Sequence, residues 1–341
     1  MSTDPQGLDT AAVGRWLASV APDAVSGPLD ASLITGGKSN LTYLVTDGTH
    51  DYVVRRPPLG HVLATAHDMA REYRVMAALA PTDVPVPPMV ALCEDTEVIG
   101  APFYVMERVD GTPYARAAQL EKLGEQRTRD ITGRMVDTLV DLHAVDYRAV
   151  GLGEFGRPDG YIGRQVSRWK KQLAASTSRE LPGMDELVAH LDANVPESGD
   201  GTIVHGDFRL DNVLVDDQDQ VTAVLDWEMS TLGDPLSDVA LMLAYQQLGE
   251  TATDGGGAVV TDAPRAPGYL NRDETIERYA AGSGRDVSDI GYHQSLAFFK
   301  LAVILEGIHY RHSHGQTVGT GFDGIGDMIV PLIDAGLAAS R

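Results

Sequence analysis

The chain has 341 residues, a single cysteine, 49 acidic against 27 basic residues and a formal net charge of -22. That balance argues against a nucleic-acid-binding surface, which is normally basic, and one cysteine leaves no disulfide framework and no cysteine-based metal site. The length allows one large domain or two lobes, with a core large enough to need no covalent staple.

Residues 8–20 read as an amphipathic helix. "SLITGG", "NLTYLVT" and "DYVVRRPP" follow as strands, with "DGTH" a turn and Pro57-Pro58 a stop. Residues 62–80 have helical spacing without Pro or Gly, and "PTDVPVPP" ends them. "MVALCE" and "FYVMERV" complete five expected antiparallel strands, with one helix inserted after the third. Beyond Gly111 the character becomes helical: "EQRTRDITGRMVDTLVDLHAVD", then 160–176 and 184–194. Two apolar runs around "DDQDQ" predict a hairpin, residues 249–268 read as a mobile loop, and the rest from Leu236 is mostly helix. The layout is a sheet-rich lobe and a larger helical lobe, meeting near 107–111.

The opening "MSTDPQG" lacks the basic and apolar segments of a signal peptide, and no apolar run approaches the roughly 20 residues of a membrane span. A cytoplasmic protein without a membrane partner is the expectation, and the lone Cys93 suits a reducing compartment.

"LITGGKSN", residues 33–40, looks like the end of a phosphate-binding P-loop. Ser32 stands where that motif needs its first glycine, and strands rather than a helix follow. The stretch fits better as a turn between two strands, where Gly36 and Gly37 let backbone N–H groups approach phosphate, with Lys38 and Ser39 beside them.

The chemistry centres on His205-Gly206-Asp207, with Asn212 five residues after the aspartate and Asp226 beyond the hairpin. The kinase catalytic loop has the same Asp-to-Asn step. A hydroxyl nucleophile needs a proton acceptor, which Asp207 supplies. Phosphate beside two aspartates needs a divalent cation, and Asn212 and Asp226 offer the oxygen donors that Mg²⁺ takes. The hairpin is expected to return Asp226 beside Asn212. His205 is read as a brace for the backbone, and Asp234 and Asp238 as scaffolding. A metallohydrolase built on His205, Asp207 and Asp226 is the competing reading, and it leaves Asn212 and the sheet lobe without a role.

"VHGDFRLDNVLV", "AVLDWEMSTLGDPLSDVA", "YVVRRPP" and "FYVMERVDG" together resemble the aminoglycoside phosphotransferase and choline kinase-like family, over roughly residues 30–311. Within it the chain looks most like the branch that in animals is fused to acyl-CoA dehydrogenases. The resemblance implies an α+β, two-lobe protein kinase-like fold: a small antiparallel-sheet nucleotide-binding lobe, 1–108, and a large mainly helical lobe, 109–341, for catalysis and substrate. It implies ATP, with GTP left open, and Mg²⁺. Asp207 would be the catalytic base and Asn212 and Asp226 the metal ligands. Gly36, Gly37 and Ser39 would meet phosphate, and the backbone of Glu107 to Val109 the adenine. Glu72 matches the helix glutamate of kinases. Arg55 falls where their strand lysine stands, a departure, since its planar fork bonds bidentately.

For the acceptor, Arg209, Glu228 and Arg311 are the candidates, the last among the histidines of "EGIHYRHSHG". The expected function is phosphoryl transfer to a hydroxyl of a small molecule. Aminoglycoside, hydroxyacyl-CoA, amino alcohol and sugar all stay open, as does oligomeric state. The alternative is a nucleotide-binding sensor without catalysis, which the Arg55 departure would suit.

Overall fold

Two aspartates open the first two helices in the same way. The Asp9 carboxylate accepts the Ala12 N–H at 2.8 Å and starts α1 (Thr10–Val20); Asp68 accepts the Arg71 N–H at 2.9 Å and starts α2 (Met69–Leu79). Helix α1 thus begins later than its apolar spacing alone predicts. The computed structural model describes residues 4–34, 40–59, 68–176, 179–197, 199–251, 261–315 and 324–339. Gly36, Gly37, Lys38 and Ser39, and the first six residues of the helix expected at 62–80, therefore lie outside the described residues.

Five antiparallel strands form one sheet: β1 (Asp30–Leu33), β2 (Leu41–Thr46), β3 (Asp51–Arg56), β4 (Met89–Cys93) and β5 (Phe103–Glu107). Their order is β1-β2-β3-β5-β4, so β5 lies between β3 and β4. Gly48, at φ +84°, supplies the left-handed residue of the turn between β2 and β3. The Asp47 carboxylate fastens that turn by accepting the N–H groups of Thr49 and His50. One sheet face buries Tyr43, Val45, Val54, Phe103 and Val105 against Val13 and Leu17 of α1, with Trp16 edge-on to Phe103 at 4.8 Å. Each such large side chain contributes roughly 1.5–3 kcal/mol when fully buried.

The chain divides into two compact units. The first is Met1–Gly111 with Leu214–Asp216 and Thr222–Glu228; the second is Thr112–Val213, Asp217–Val221 and Met229–Arg341. The first unit thus takes back most of the hairpin of β7 (Val213–Val215) and β8 (Val221–Val224). Gly111 packs where no Cβ fits: one would come within 2.9 Å of Leu214 and Thr222 side-chain atoms.

The second unit carries α3 (Ala117–Glu121), α4 (Glu125–Ala144), α5 (Tyr161–Ser176), α6 (Met184–Ala193), α7 (Leu236–Thr251), α8 (Arg272–Ser283), α9 (Ile290–Ser313) and α10 (Ile329–Ala339). A two-stranded ladder joins β6 (Thr202–Val204) to β9 (Thr231–Gly233). Helix α9 is buried on nearly every side from Ile290 to Gly307, as expected of a helix that is apolar all round. No described helix is long and apolar enough to cross a membrane. The stretch 249–268 is not one loop: residues up to Thr251 finish α7, and Ala263–Arg265 form a 3-10 turn with Ala263 and Ala266 buried. Residues 252–260 lie outside the described part.

Candidate active site

In the first unit, strand register sets Arg55 opposite Thr42 on one side and Tyr104 on the other. Its Nη2 lies 2.5 Å from Asp226 Oδ1, its Nε 3.2 Å from Glu72 Oε2, and Nη2 also 3.7 Å from Glu228 Oε2. Glu72, in the first turn of α2, is 1% exposed. Tyr104 donates its hydroxyl to Glu72 Oε2 at 2.9 Å. Asn40 donates its Nδ2 to both Glu72 Oε1 and Glu228 Oε2, each at 3.1 Å. Burial pushes the Glu72 carboxyl up to about 7, against the opposing pull of Arg55 and Tyr104.

Three carboxylates here share one guanidinium. Asp226 is also held at φ +66°, a left-handed conformation uncommon for a side-chain-bearing residue and costing on the order of 1–3 kcal/mol. The neighbouring Trp227 anchors it: that indole is 1% exposed and donates Nε1 to the Val224 carbonyl at 2.9 Å.

In the second unit, the chain leaves β6 into His205-Gly206-Asp207. Asp238, in the first turn of α7, gathers this loop. Its Oδ2 accepts the His205 N–H at 2.6 Å and its Oδ1 the Gly206 N–H at 2.7 Å. His143 Nε2 lies 3.3 Å from the same Oδ2, and its Nδ1 2.8 Å from the Tyr279 hydroxyl. Burial alone would raise the Asp238 carboxyl, but the His143 contact and the loop N–H groups hold it below the usual carboxylate value. Gly206 has φ +84°, and a Cβ there would stand 2.7 Å from the Met229 carbonyl oxygen. The loop therefore needs glycine twice over, for its dihedral and for space.

Asp207 projects from this braced turn. Asn212 donates Nδ2 to the Asp207 carbonyl at 2.9 Å and to its Oδ2 at 3.2 Å, which leaves the amide oxygen as its donor to a cation. His205 Nδ1 accepts the Asp207 N–H at 3.2 Å, the bracing role its sequence position suggests. The Tyr245 hydroxyl bonds the Asp207 carboxylate, and Arg209 Nε lies 3.8 Å from Asp207 Oδ2.

Each of the three expected acceptor residues has its own surroundings. Glu228 faces Asn40 and Arg55 in the first unit. Arg209 is engaged internally, 2.8 Å from Asp211 and 4.7 Å above the Tyr245 ring. Arg311 is exposed in the last turn of α9. His314 donates Nδ1 back to the Tyr310 carbonyl at 2.8 Å, while His309 packs where a Cβ on Gly326 would stand. Glu107 and Arg108 commit their backbone N–H groups to the Pro88 and Asp51 carbonyls.

Residues 30–278 match the model of the phosphotransferase enzyme family. The chain belongs to that family. Mouse acyl-CoA dehydrogenase family member 10 is 36% identical over 307 residues, which are 89% of this chain but 28% of that protein. The chain thus spans under a third of the length of that relative. A structure from Ralstonia eutropha JMP134, provisionally assigned as an aminoglycoside phosphotransferase, is 33% identical, with 97% and 98% of the two chains covered and a TM-score of 0.85. A thermostable mutant of aminoglycoside phosphotransferase APH(4)-Ia, in complex with ADP and hygromycin B, shares the fold at 15% identity, over 96% and 98% of the chains, with a TM-score of 0.63.

The phosphotransferase fold brings in residues that motif reading passed over. Asn40 and Tyr104 complete the Arg55–Glu72 cluster, and His143 completes the brace of Asp238. Asn40 directly follows Gly-Gly-Lys-Ser in the sequence, a polar residue ahead of an apolar strand, and that was the available signal. Tyr104 and His143 sit inside apolar patterns that carry no chemical mark.

Proposed function

We propose that this phosphotransferase moves the γ-phosphoryl group of ATP to a hydroxyl of a small molecule. The carrying observation is the Asp207–Asn212 pair, a carboxylate hydrogen-bonded to an amide five residues on, in a loop clamped by buried Asp238. Asp207 accepts the proton of the acceptor hydroxyl as that oxygen bonds to the γ-phosphorus. The bond to the β,γ-bridging oxygen breaks, and ADP and a phosphomonoester leave. The transition state is loose, so the residues act mainly by positioning and by balancing charge.

The Asn212 amide oxygen and the Asp226 carboxylate are each, by the resemblance, an oxygen donor of the kind Mg²⁺ takes, and that ion, when bound, would neutralise phosphate charge. Arg55, held by Glu72, would hold phosphate oxygens through its fork. With the Glu107 and Arg108 N–H groups committed, Val109 would supply the backbone donor to the nucleobase. The ADP held by the structurally similar aminoglycoside phosphotransferase supports nucleotide use.

ADP release from ATP, measured with a panel of hydroxyl acceptors in Mg²⁺ and in EDTA, tests the reading. Acceptor-dependent, metal-dependent release is expected. Nucleotide binding without release for any acceptor would favour the sensor reading.

A further inference from the structure

A cavity of about 40 Å³ lies inside the second unit, lined among others by Tyr161, Trp169, Gly206, Leu241, Leu296 and Lys300. Gly206 immediately precedes Asp207, so this space adjoins the base loop. We propose that it is the acceptor subsite and that Lys300 there binds a carboxylate carried by the acceptor, making the substrate class a small hydroxy acid.

The argument rests on the charge around Lys300. Its hydrogen bond goes to a neutral group, the Gly206 carbonyl at 3.2 Å, and its ammonium also lies 5.9 Å from the Trp169 ring. An ammonium has three donors, so two remain for a ligand. Asp238 also lines the cavity, but its oxygens are spent on the His205 and Gly206 N–H groups and on His143. Two further walls are titratable: His293 faces Asp234 at 3.3 Å and the Asp289 carbonyl, and the Tyr161 hydroxyl bonds Ser237. Burial lowers the Lys300 pKa, while Asp207 and Asp238 pull it up and Arg168 pulls it down. An arriving carboxylate would restore the charge balance that burial upsets.

Size and lining narrow the class. A water needs on the order of 10–15 Å³ of such space, so about 40 Å³ admits a carboxylate and the carbon next to it. Trp169, Leu241, Leu296 and Ala297 offer apolar walls to a short carbon skeleton. A polycationic aminocyclitol would set like charge against Lys300.

The inference rests on the kinase reading above, and the test separates the two. Binding of glycolate and γ-hydroxybutyrate is compared with that of ethylene glycol, butanediol and choline, on the full chain without nucleotide, by saturation-transfer NMR. The hydroxy acids should bind wild type and Lys300→Arg, and bind Lys300→Met roughly ten- to a hundredfold more weakly. The diols should be insensitive to the change. In wild type, the hydroxy acids but not the diols should protect Lys300 from reductive methylation, read by peptide mass spectrometry, so the result does not depend on the variant folding. Failure of both acids to bind, equal binding by Lys300→Met, or preference for choline would overturn the subsite. If Lys300-dependent binding holds but no acceptor yields ADP, the kinase reading fails and the subsite stands. ADP release with other acceptors, unchanged in Lys300→Met, sinks the subsite alone.

Discussion

Arg55 Nη2 stands 2.5 Å from Asp226 Oδ1 while its Nε pairs with Glu72 Oε2 at 3.2 Å. One planar cation therefore joins the strand, the α2 helix and the residue proposed to take metal. A lysine, a point charge on a flexible stem, could not face both carboxylates with separate nitrogens. Arg55→Met leaves Glu72 buried beside Asp226 and Glu228 without a counter-charge, and should cost about 3 kcal/mol in urea unfolding. Arg55→Lys should lose less. Added Mg²⁺ should recover part of the Arg55→Met loss by binding the freed Asp226. An unchanged unfolding midpoint in Arg55→Met would show that this cluster contributes nothing to stability.

Asp207→Asn removes the proton acceptor but keeps the shape of the loop, since Asp238 and His205 still hold its backbone. Turnover should fall by roughly 10²- to 10⁴-fold, the range for general-base catalysis, with ATP affinity within a few-fold of wild type. Rapid-quench measurement of the phosphoryl-transfer step checks this. A wild-type rate would remove Asp207 from the chemistry.

Gly206→Ala addresses the same loop through sterics. The new Cβ meets the Met229 carbonyl oxygen at 2.7 Å in a backbone held at φ +84°. Dihedral strain alone costs on the order of 1–3 kcal/mol, and relief of the clash must move Asp207. The variant should melt lower and lose turnover more than it loses nucleotide affinity. Gly284→Ala is the control: it too has positive φ, at +65°, but a Cβ there meets nothing. It should lose stability alone.

The strands and most helices were legible because their signals are local: alternating apolar residues, Pro57-Pro58 as a stop, and a glycine at the β2–β3 turn. The Asp207–Asn212 step was legible because five residues of chain carry it. Partners far apart in sequence were not. Asn40 and Glu228 are 188 residues apart, and nothing in "KSNL" or "DWEM" announces that they bond. Glu228 was accordingly expected to face an acceptor. Lys300 lies inside the apolar run "FFKLAVIL" and carries no chemical mark there. Its meaning comes from the Gly206 carbonyl and the cavity, both products of packing.

Glu72 and Asp238 should shape pH stability with opposite signs. The Glu72 carboxyl stands near 7 in the folded chain against an ordinary 4.5, so the folded state binds the extra proton. Its contribution is complete below 4.5 and is lost as pH rises through about 7. Asp238 lies below its ordinary 3.8, so its contribution is complete above that value and is lost as pH falls through the depressed one. Glu72→Gln, neutral at every pH, should therefore gain on wild type in melting temperature as pH rises from 4.5 toward 8. Asp238→Asn should be the weaker protein at neutral pH and converge on wild type in acid. Melting curves for the three proteins across pH, taken as differences, isolate each group from the other titrations. A difference of constant size for Glu72→Gln would mean that Arg55 and Tyr104 keep that carboxylate ionised throughout, and would return the whole cluster to a fixed charge of one guanidinium against three carboxylates.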